Sequence, residues 1–446
     1  MTIIPILLLL SAAPARAMSL TAAADAAVSR SPASAEAKAR QEQARAAGRE
    51  VFWTRWPRLS ARAAFMRSDD PLFAFGELLQ QRRVTQADFS PVTLNRPGYR
   101  TGVHGSLELG VPLFTGFELT RAAKLASLAA DEAETMGGAA AQAVRLRVVE
   151  GYLQDLRSRT FVAELDSRIA SAKGAVDSAE RLKKQGLVLG SDHQAALAVL
   201  SGLRAWRARA AAEAEAGRAG LGVLLGGAAP ETTGALRDWL PPLEDDAALV
   251  AAALSSRPDL RASGLRTRAA GVRRQGAASS MLPSVDAFAA VNNSADGLSS
   301  GAASRLVGVR ASVLFGDPAY ASRRARAAAD ESAAAAAGAG AEDAARGEVL
   351  ARAAGMRGLN AALPELREAL SRARESLEQV RPLYREGRQS VLDVLRAEEA
   401  VARLEESRLE TLYRLRSEWA ALRAAQGRLD GDAVRTLELS LTEESR

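Results

Sequence analysis

The chain has no cysteine, which removes thiolate catalysis, disulfide staples and cysteine-based metal sites. Aromatic residues are scarce at 4%, too few for an ordinary enzyme core; Ala, Arg, Glu and Leu dominate instead, the composition of long helices. Beyond the amino terminus no run of about 18 apolar residues occurs, so no transmembrane helix is available, and any insertion into a membrane must use strands. The only two histidines, His104 and His193, stand on different elements, which speaks against a metal site. No nucleophile stands beside a base and no glycine-rich phosphate loop occurs, so neither catalysis nor a cofactor is expected. The net charge of +6 comes from Arg interleaved with Glu and Asp along helical faces. That is the pattern of solvated helices, not of a nucleic-acid patch.

What is present begins with an apolar run, Ile3 to Leu10, too short to span a bilayer, followed by the A-x-A pattern Ala15-Arg16-Ala17. Residues 1–17 are expected to be a secretory signal peptide, although no Lys or Arg precedes the run, which leaves the true start codon open. No Cys follows the cleavage site to carry a lipid. The remainder is written twice. Arg30-Ser31-Pro32 and Trp56-Pro57 recur at a constant offset as Ser256-Arg257-Pro258 and Leu282-Pro283. Phe114, Gly186, Asp192 and Gly226 recur at a second constant offset as Phe315, Gly387, Asp393 and Gly427. The two rulers differ by about 25 residues, an insertion between Pro57 and Phe114 in a duplicated unit. The expected organisation is a first structural repeat over 18–227, a linker over 228–243 rich in proline, a second repeat over 244–429, and a tail over 430–446 with no clear pattern.

Each repeat holds a strand pair, predicted over about 57–67 and 103–114, and over about 283–293 and 304–315. Apolar residues alternate strictly with polar ones: Leu59, Ala61, Ala63 and Phe65 oppose Arg58, Ser60 and Arg62; Val103, Leu107, Leu109 and Val111 oppose His104, Ser106 and Glu108. The second repeat sets Val285, Ala287 and Ala289 against Ser284 and Asp286, and Val307, Val309 and Ala311 against Gly308 and Arg310. Strands of about ten residues suit a tilted membrane crossing, with Trp53, Trp56, Phe114, Phe117 and Phe315 at one end as an interfacial girdle. Four strands cannot close a barrel, and open edges are not tolerated in lipid, so the chain must oligomerise; three copies supply twelve strands. The turn Asn292 to Gly297 and the long connection Ser68 to Gly102 are expected on the outer side.

Between Phe114 and Gly186, and between Phe315 and Gly387, the sequence is helical and could approach ~100 Å in each case. Apolar spacing of three and four, as in Leu165, Ile169, Ala172, Val176 and Ala179, is that of coiled coils. Glycine ends each rod at Gly186 and Gly387, and Ser191 with Gln194, and Ser390 with Asp393, can cap the next helix.

The W-P-x-L-S of Trp56 to Ser60, the P-L-F-T-G of Pro112 to Gly116, and Gly186-Leu187-Val188 with Asp192, in duplicate, resemble the TolC-like outer-membrane efflux protein family over roughly residues 19–428. The resemblance implies a mainly α fold with membrane β: a homotrimer whose twelve-strand β-barrel continues into a twelve-helix α-barrel across the periplasm. It implies a passive exit duct of a tripartite efflux or type I secretion system in outer-membrane lipid, partnered by a periplasmic adaptor and an inner-membrane transporter. The docking tip would comprise Gly186, Leu187, Val188, Ser191, Gly387, Ser390 and Asp393. The gate would pair Asp192 with Tyr384, near Arg388, where Gln389 and Arg396 replace the family's basic and acidic residues.

Plain helix capping also accounts for Ser191 and Asp192, and Tyr384 also suits rod packing. Arg58, Arg62, His104, Glu108, Asp286 and Arg310 read as a wet barrel lumen rather than a specific solute site. The alternative reading is a soluble periplasmic coiled-coil scaffold or adaptor protein, which uses the same helical stripes.

Overall fold

The computed structural model describes residues 17–242, 244–298 and 301–442; the expected signal peptide, apart from Ala17, lies outside them. In chain order the elements are α1 (Leu20–Arg30), α2 (Pro32–Trp53), β1 (Arg58–Ser68), α3 (Pro71–Gln80), a 3-10 turn (Gln86–Phe89), α4 (Pro91–Asn95), β2 (Arg100–Thr115), α5 (Glu118–Lys184), α6 (Gly190–Leu225), α7 (Asp246–Ser256), α8 (Pro258–Ala278), β3 (Ser284–Ala295), β4 (Ala302–Ser312), α9 (Tyr320–Arg385), α10 (Val391–Ala425) and α11 (Gly431–Thr442). The long helices α5 and α9 have 67 and 66 residues. No helix among the described residues is long and apolar enough to cross a membrane. The described residues form two compact units: one draws on 41–132 and 264–337, the other on 17–40, 133–263 and 338–442.

The first of these holds a four-stranded antiparallel sheet in the order β1-β2-β3-β4. Register carries the alternation across all four strands. Ala61 faces Leu107, which faces Val291; Leu109 faces Ala289, which faces Val307. One face of the sheet is therefore apolar, and it stays uncovered: Phe65 is 71% exposed and Val307 81%. The polar face holds the row Arg62, Ser106, Asn292 and Ser304. Strands β1 and β4, each 11 residues long, pair on one side only among the described residues, leaving two rows of backbone N–H and C=O groups open.

Three details depart from the expected pattern. Asn292, Asn293 and Ser294 belong to β3 rather than to a turn, because they pair with Ser304, Ala303 and Ala302; ladder partners outweigh their poor strand propensity. Strand β4 stops at Ser312 instead of 315, since its partner strand begins at Ser284, just after Pro283, which has no N–H to offer a ladder. The long connection from β1 to β2 is not an open loop: Asp70 caps α3, accepting the Phe73 N–H at 2.9 Å, with Pro71 in the first turn.

The other unit is helical. In its larger core Val148, Tyr152 and Leu156 of α5 meet Met356 of α9 and Leu412 and Leu415 of α10. A second core joins Ala172, Val176 and Ala179 of α5, Leu200 of α6, Leu370, Leu377 and Tyr384 of α9, and Val394 and Leu395 of α10. The seven-residue step through Leu370, Leu377 and Tyr384 is a coiled-coil seam. The segment expected to be a patternless tail instead forms α11, because Val434, Leu437 and Leu441 share one buried stripe. Arg416, with no exposed surface, ties this region together by donating to the carbonyls of Arg237 and Ser440, both at 2.9 Å, while its guanidinium lies 5.3 Å from the Trp239 ring centre. Burial pushes Arg416 down to about 10.

Candidate functional site

Within the helical unit, the ends of α5 and α9 are built alike. Gly186 and Gly387 take left-handed φ of 77° and 71°. Their neighbours fold back in the same way, Leu187 N–H to Leu182 C=O at 2.9 Å and Arg388 N–H to Leu383 C=O at 2.8 Å. This is the glycine-ended helix stop that satisfies otherwise orphaned carbonyls.

The starts of the following helices differ. Ser390 caps α10 in a reciprocal box, its Oγ accepting Leu392 N–H at 3.2 Å while Asp393 accepts Ser390 N–H at 3.2 Å. Ser191 does not cap α6: the helix starts one residue earlier, at Gly190, with Leu189 before it and no side-chain cap. Ser191 Oγ lies 3.5 Å from Asp192 Oδ1 instead. Leu187 and Leu189 are 71% and 68% exposed, and Val188 lies between them.

The structure does not join Asp192 to Tyr384. Placed by the seven-residue seam, the Tyr384 side chain is buried and its hydroxyl donates to the Ala175 carbonyl of α5 at 3.1 Å. Burial lifts this hydroxyl above the usual tyrosine value. Arg388 and Gln389 are exposed, Arg388 lying 3.6 Å from Glu386. Arg396 is exposed too, at 4.0 Å from Asp393.

What holds the helices together near this end is a group that the sequence reading missed. Glu398 of α10 has no exposed surface. Its carboxylate accepts Arg381 Nη2 of α9 at 2.7 Å, Arg168 Nη1 of α5 at 3.2 Å, and the Ser171 hydroxyl of α5. Arg381 also donates to Ser171 Oγ at 2.9 Å. For Arg168, burial works against the charge, but the Glu164 and Glu398 carboxylates outweigh it and hold the guanidinium above its ordinary value. A buried carboxylate is tolerated because it is so fully paired, and it links three helices at one point. Nothing in the local pattern Ala397-Glu398-Glu399-Ala400 distinguishes it from a solvated helix face.

In the sheet unit the six expected lumen residues do share the polar face. Asp286 pairs directly across from Arg310. A cavity of about 340 Å³ on this face is lined by Arg58, Glu108, Asp286, Phe288 and Arg310 among others. Phe288 also belongs here, by parity with Asp286, and its ring lies 5.0 Å from the Arg310 guanidinium. Glycine at 308 makes room for it, since a Cβ there would stand 2.8 Å from the ring. His104 is set apart from this row: its Nε2 lies 2.6 Å from Glu77 Oε1 and its Nδ1 3.2 Å from Ser294 Oγ. Among the described residues no group of three or more His, Asp or Glu could hold a metal ion.

Residues 249–428 match the outer membrane efflux protein family. No curated protein sequence matches the chain. Its fold is similar to that of a membrane protein from Pseudomonas aeruginosa, at 20% identity and a TM-score of 0.78, covering 91% of this chain and 92% of the other. It is similar to the outer membrane protein VceC of Vibrio cholerae (19%, 0.75, 92% and 97%) and to the CmeC outer membrane channel of Campylobacter jejuni (15%, 0.78, 95% and 89%). The family match thus spans β3, β4 and the helices that flank them, and the fold of nearly the whole length is that of these solved outer-membrane structures.

Proposed function

We propose that this protein is the outer-membrane exit duct of a tripartite efflux or type I secretion system, a passive channel rather than an enzyme. The observation that carries this reading is the sheet: an uncovered apolar face, a charged opposite face, and two open edges of 11 residues each. In water such a face would be costly, and in hydrocarbon each open amide or carbonyl would cost several kcal/mol. Both problems vanish if β4 of one copy pairs with β1 of the next. Three copies close a twelve-strand barrel whose polar face, with Arg58, Arg62, His104, Glu108, Asp286 and Arg310, lines the passage.

The helical unit then lies in the periplasm, where its duplicated helix pairs complete a twelve-helix tube. Its tip, with Leu187, Val188, Ser191, Ser390 and Asp393 between the glycine stops, docks the periplasmic adaptor that couples the duct to an inner-membrane transporter. The closed tip is held within each subunit by Tyr384 on Ala175 and by Glu398 with Arg168 and Arg381, rather than by Asp192 with Tyr384. A soluble scaffold would leave Phe65, Val307 and Val309 in water, which disfavours that alternative.

The test is fractionation. The protein should float with outer membranes and run as a trimer that heating converts to monomer. Recovery as a soluble periplasmic monomer would overturn the reading.

A further inference from the structure

The connection between β1 and β2 does more than join two strands. Helix α3 lies on the polar face of the sheet: Glu77 reaches His104, and a Cβ at Gly102 would stand 2.4 Å from the Glu77 carboxyl carbon. His104 and Gly102, two residues apart, both belong to the polar side of β2. Gln80 on the next turn accepts the hydroxyl of Ser294, which pairs with His104 in β3. Further ties follow. Gln81 donates to the Thr101 carbonyl at 3.1 Å, Arg82 to the Ala303 carbonyl of β4 at 3.0 Å, and Arg83 forms an ion pair with Asp296. Helix α3 and its exit thus reach across β2, β3 and β4.

An ordinary surface loop does not bury a carboxylate, yet Glu77 is only 4% exposed. Burying a carboxylate is tolerated where a partner compensates it, and here the imidazole of His104 and the Gln81 amide do so. On the side turned away from the sheet the helix offers hydrocarbon, with Leu72 85% and Leu79 53% exposed. Hydrocarbon in a narrow aqueous passage closes it by excluding water.

We propose that α3 is a second, outer gate: a lid folded into the extracellular mouth of the duct and latched by Glu77 on His104, independent of the periplasmic tip. The proposal rests on the reading that the polar face lines the passage. His104 and Glu77 are positioning residues, since they hold the lid and need not touch the cargo.

The absence of native cysteine allows a direct test. Ser60→Cys places one thiol on the polar face of β1, four residues deeper than Ala64, the cross-strand partner of His104. Intact cells are treated from outside with a polymer-linked maleimide, and labelling is followed in the trimer band. The latched protein should label slowly, and the same thiol in a Glu77→Gln or His104→Ala background should label about tenfold faster or more. Glu77→Gln preserves volume, so it remains informative if His104→Ala assembles poorly. Equal rates in all three proteins, with trimers intact, would overturn the lid while leaving the duct. Absence of a membrane trimer even from the parent Ser60→Cys protein would instead defeat the duct reading, and the lid with it.

Discussion

Tyr384 gives its hydroxyl hydrogen to the carbonyl of Ala175, 3.1 Å away on the neighbouring long helix. This places the aromatic ring in the seam between α9 and α5. Tyr384→Phe should therefore weaken the closed tip by about 1 kcal/mol, the worth of one such bond, and raise single-channel conductance modestly in planar bilayers. Asp192→Ala leaves that bond intact and should leave conductance nearly unchanged. The reverse ranking would restore the Asp192 pairing that the family resemblance implies.

The larger effect is expected at Glu398. Replacing it with Ala removes the partner that Arg168 and Arg381 share and leaves them only the carboxylates of Glu164 and Glu378, a loss of about 1.5–3 kcal/mol for the charged hydrogen bonds given up. Conductance and sensitivity to bulky antibiotics should rise well beyond the Tyr384→Phe level while heat-resistant trimers persist. Conductance no higher than in Tyr384→Phe, in intact trimers, would show that the cluster only stabilises the rods.

Much of this arrangement was readable beforehand, and the reasons for what was not are specific. Alternation of period two and glycine stops are local signals, so the strands and the turns at Gly186 and Gly387 could be placed from short windows. The end of β4 depended on Pro283 in a neighbouring strand. The burial of Glu398 depends on α5, which lies more than 200 residues away in the chain, so no window around it could reveal that it is enclosed. Helices α3 and α11 are different: Asp70-Pro71 and the stripe Val434, Leu437 and Leu441 are local signals too, but they mark helices of only 10 and 12 residues, short beside the rods.

Arg416 should be a stability residue. Arg416→Leu removes the donor shared by the carbonyls of Arg237 and Ser440 and leaves both without it, at a cost of about 2–4 kcal/mol. Limited proteolysis should release α11 at lower denaturant concentration than in the parent protein. Unchanged protection of α11 would count against the clamp.

A pH dependence follows from Glu150 on α5. Burial is the first cause of its raised pKa, with the nearby Glu418 carboxylate adding to it against the pull of Arg352 and Arg147. The folded chain therefore holds this proton more tightly than the unfolded one. Its contribution to stability is present below the unfolded value of 4.5 and is lost as pH rises through the higher folded value. Glu150→Gln should flatten that decline and make the protein more stable than the parent at pH 7. Urea melts at several pH values in detergent would measure it, and parallel curves for the two proteins would exclude the effect.

The equal lengths of β1 and β4 also constrain biogenesis. If copies join edge to edge as proposed, a newly made subunit arrives with both flanks of its ribbon unsatisfied, and a bilayer rejects such flanks. Sisters must meet before, or during, entry into the lipid. In the proposed duct, the encounter of subunits is then a step that no new conduit can bypass.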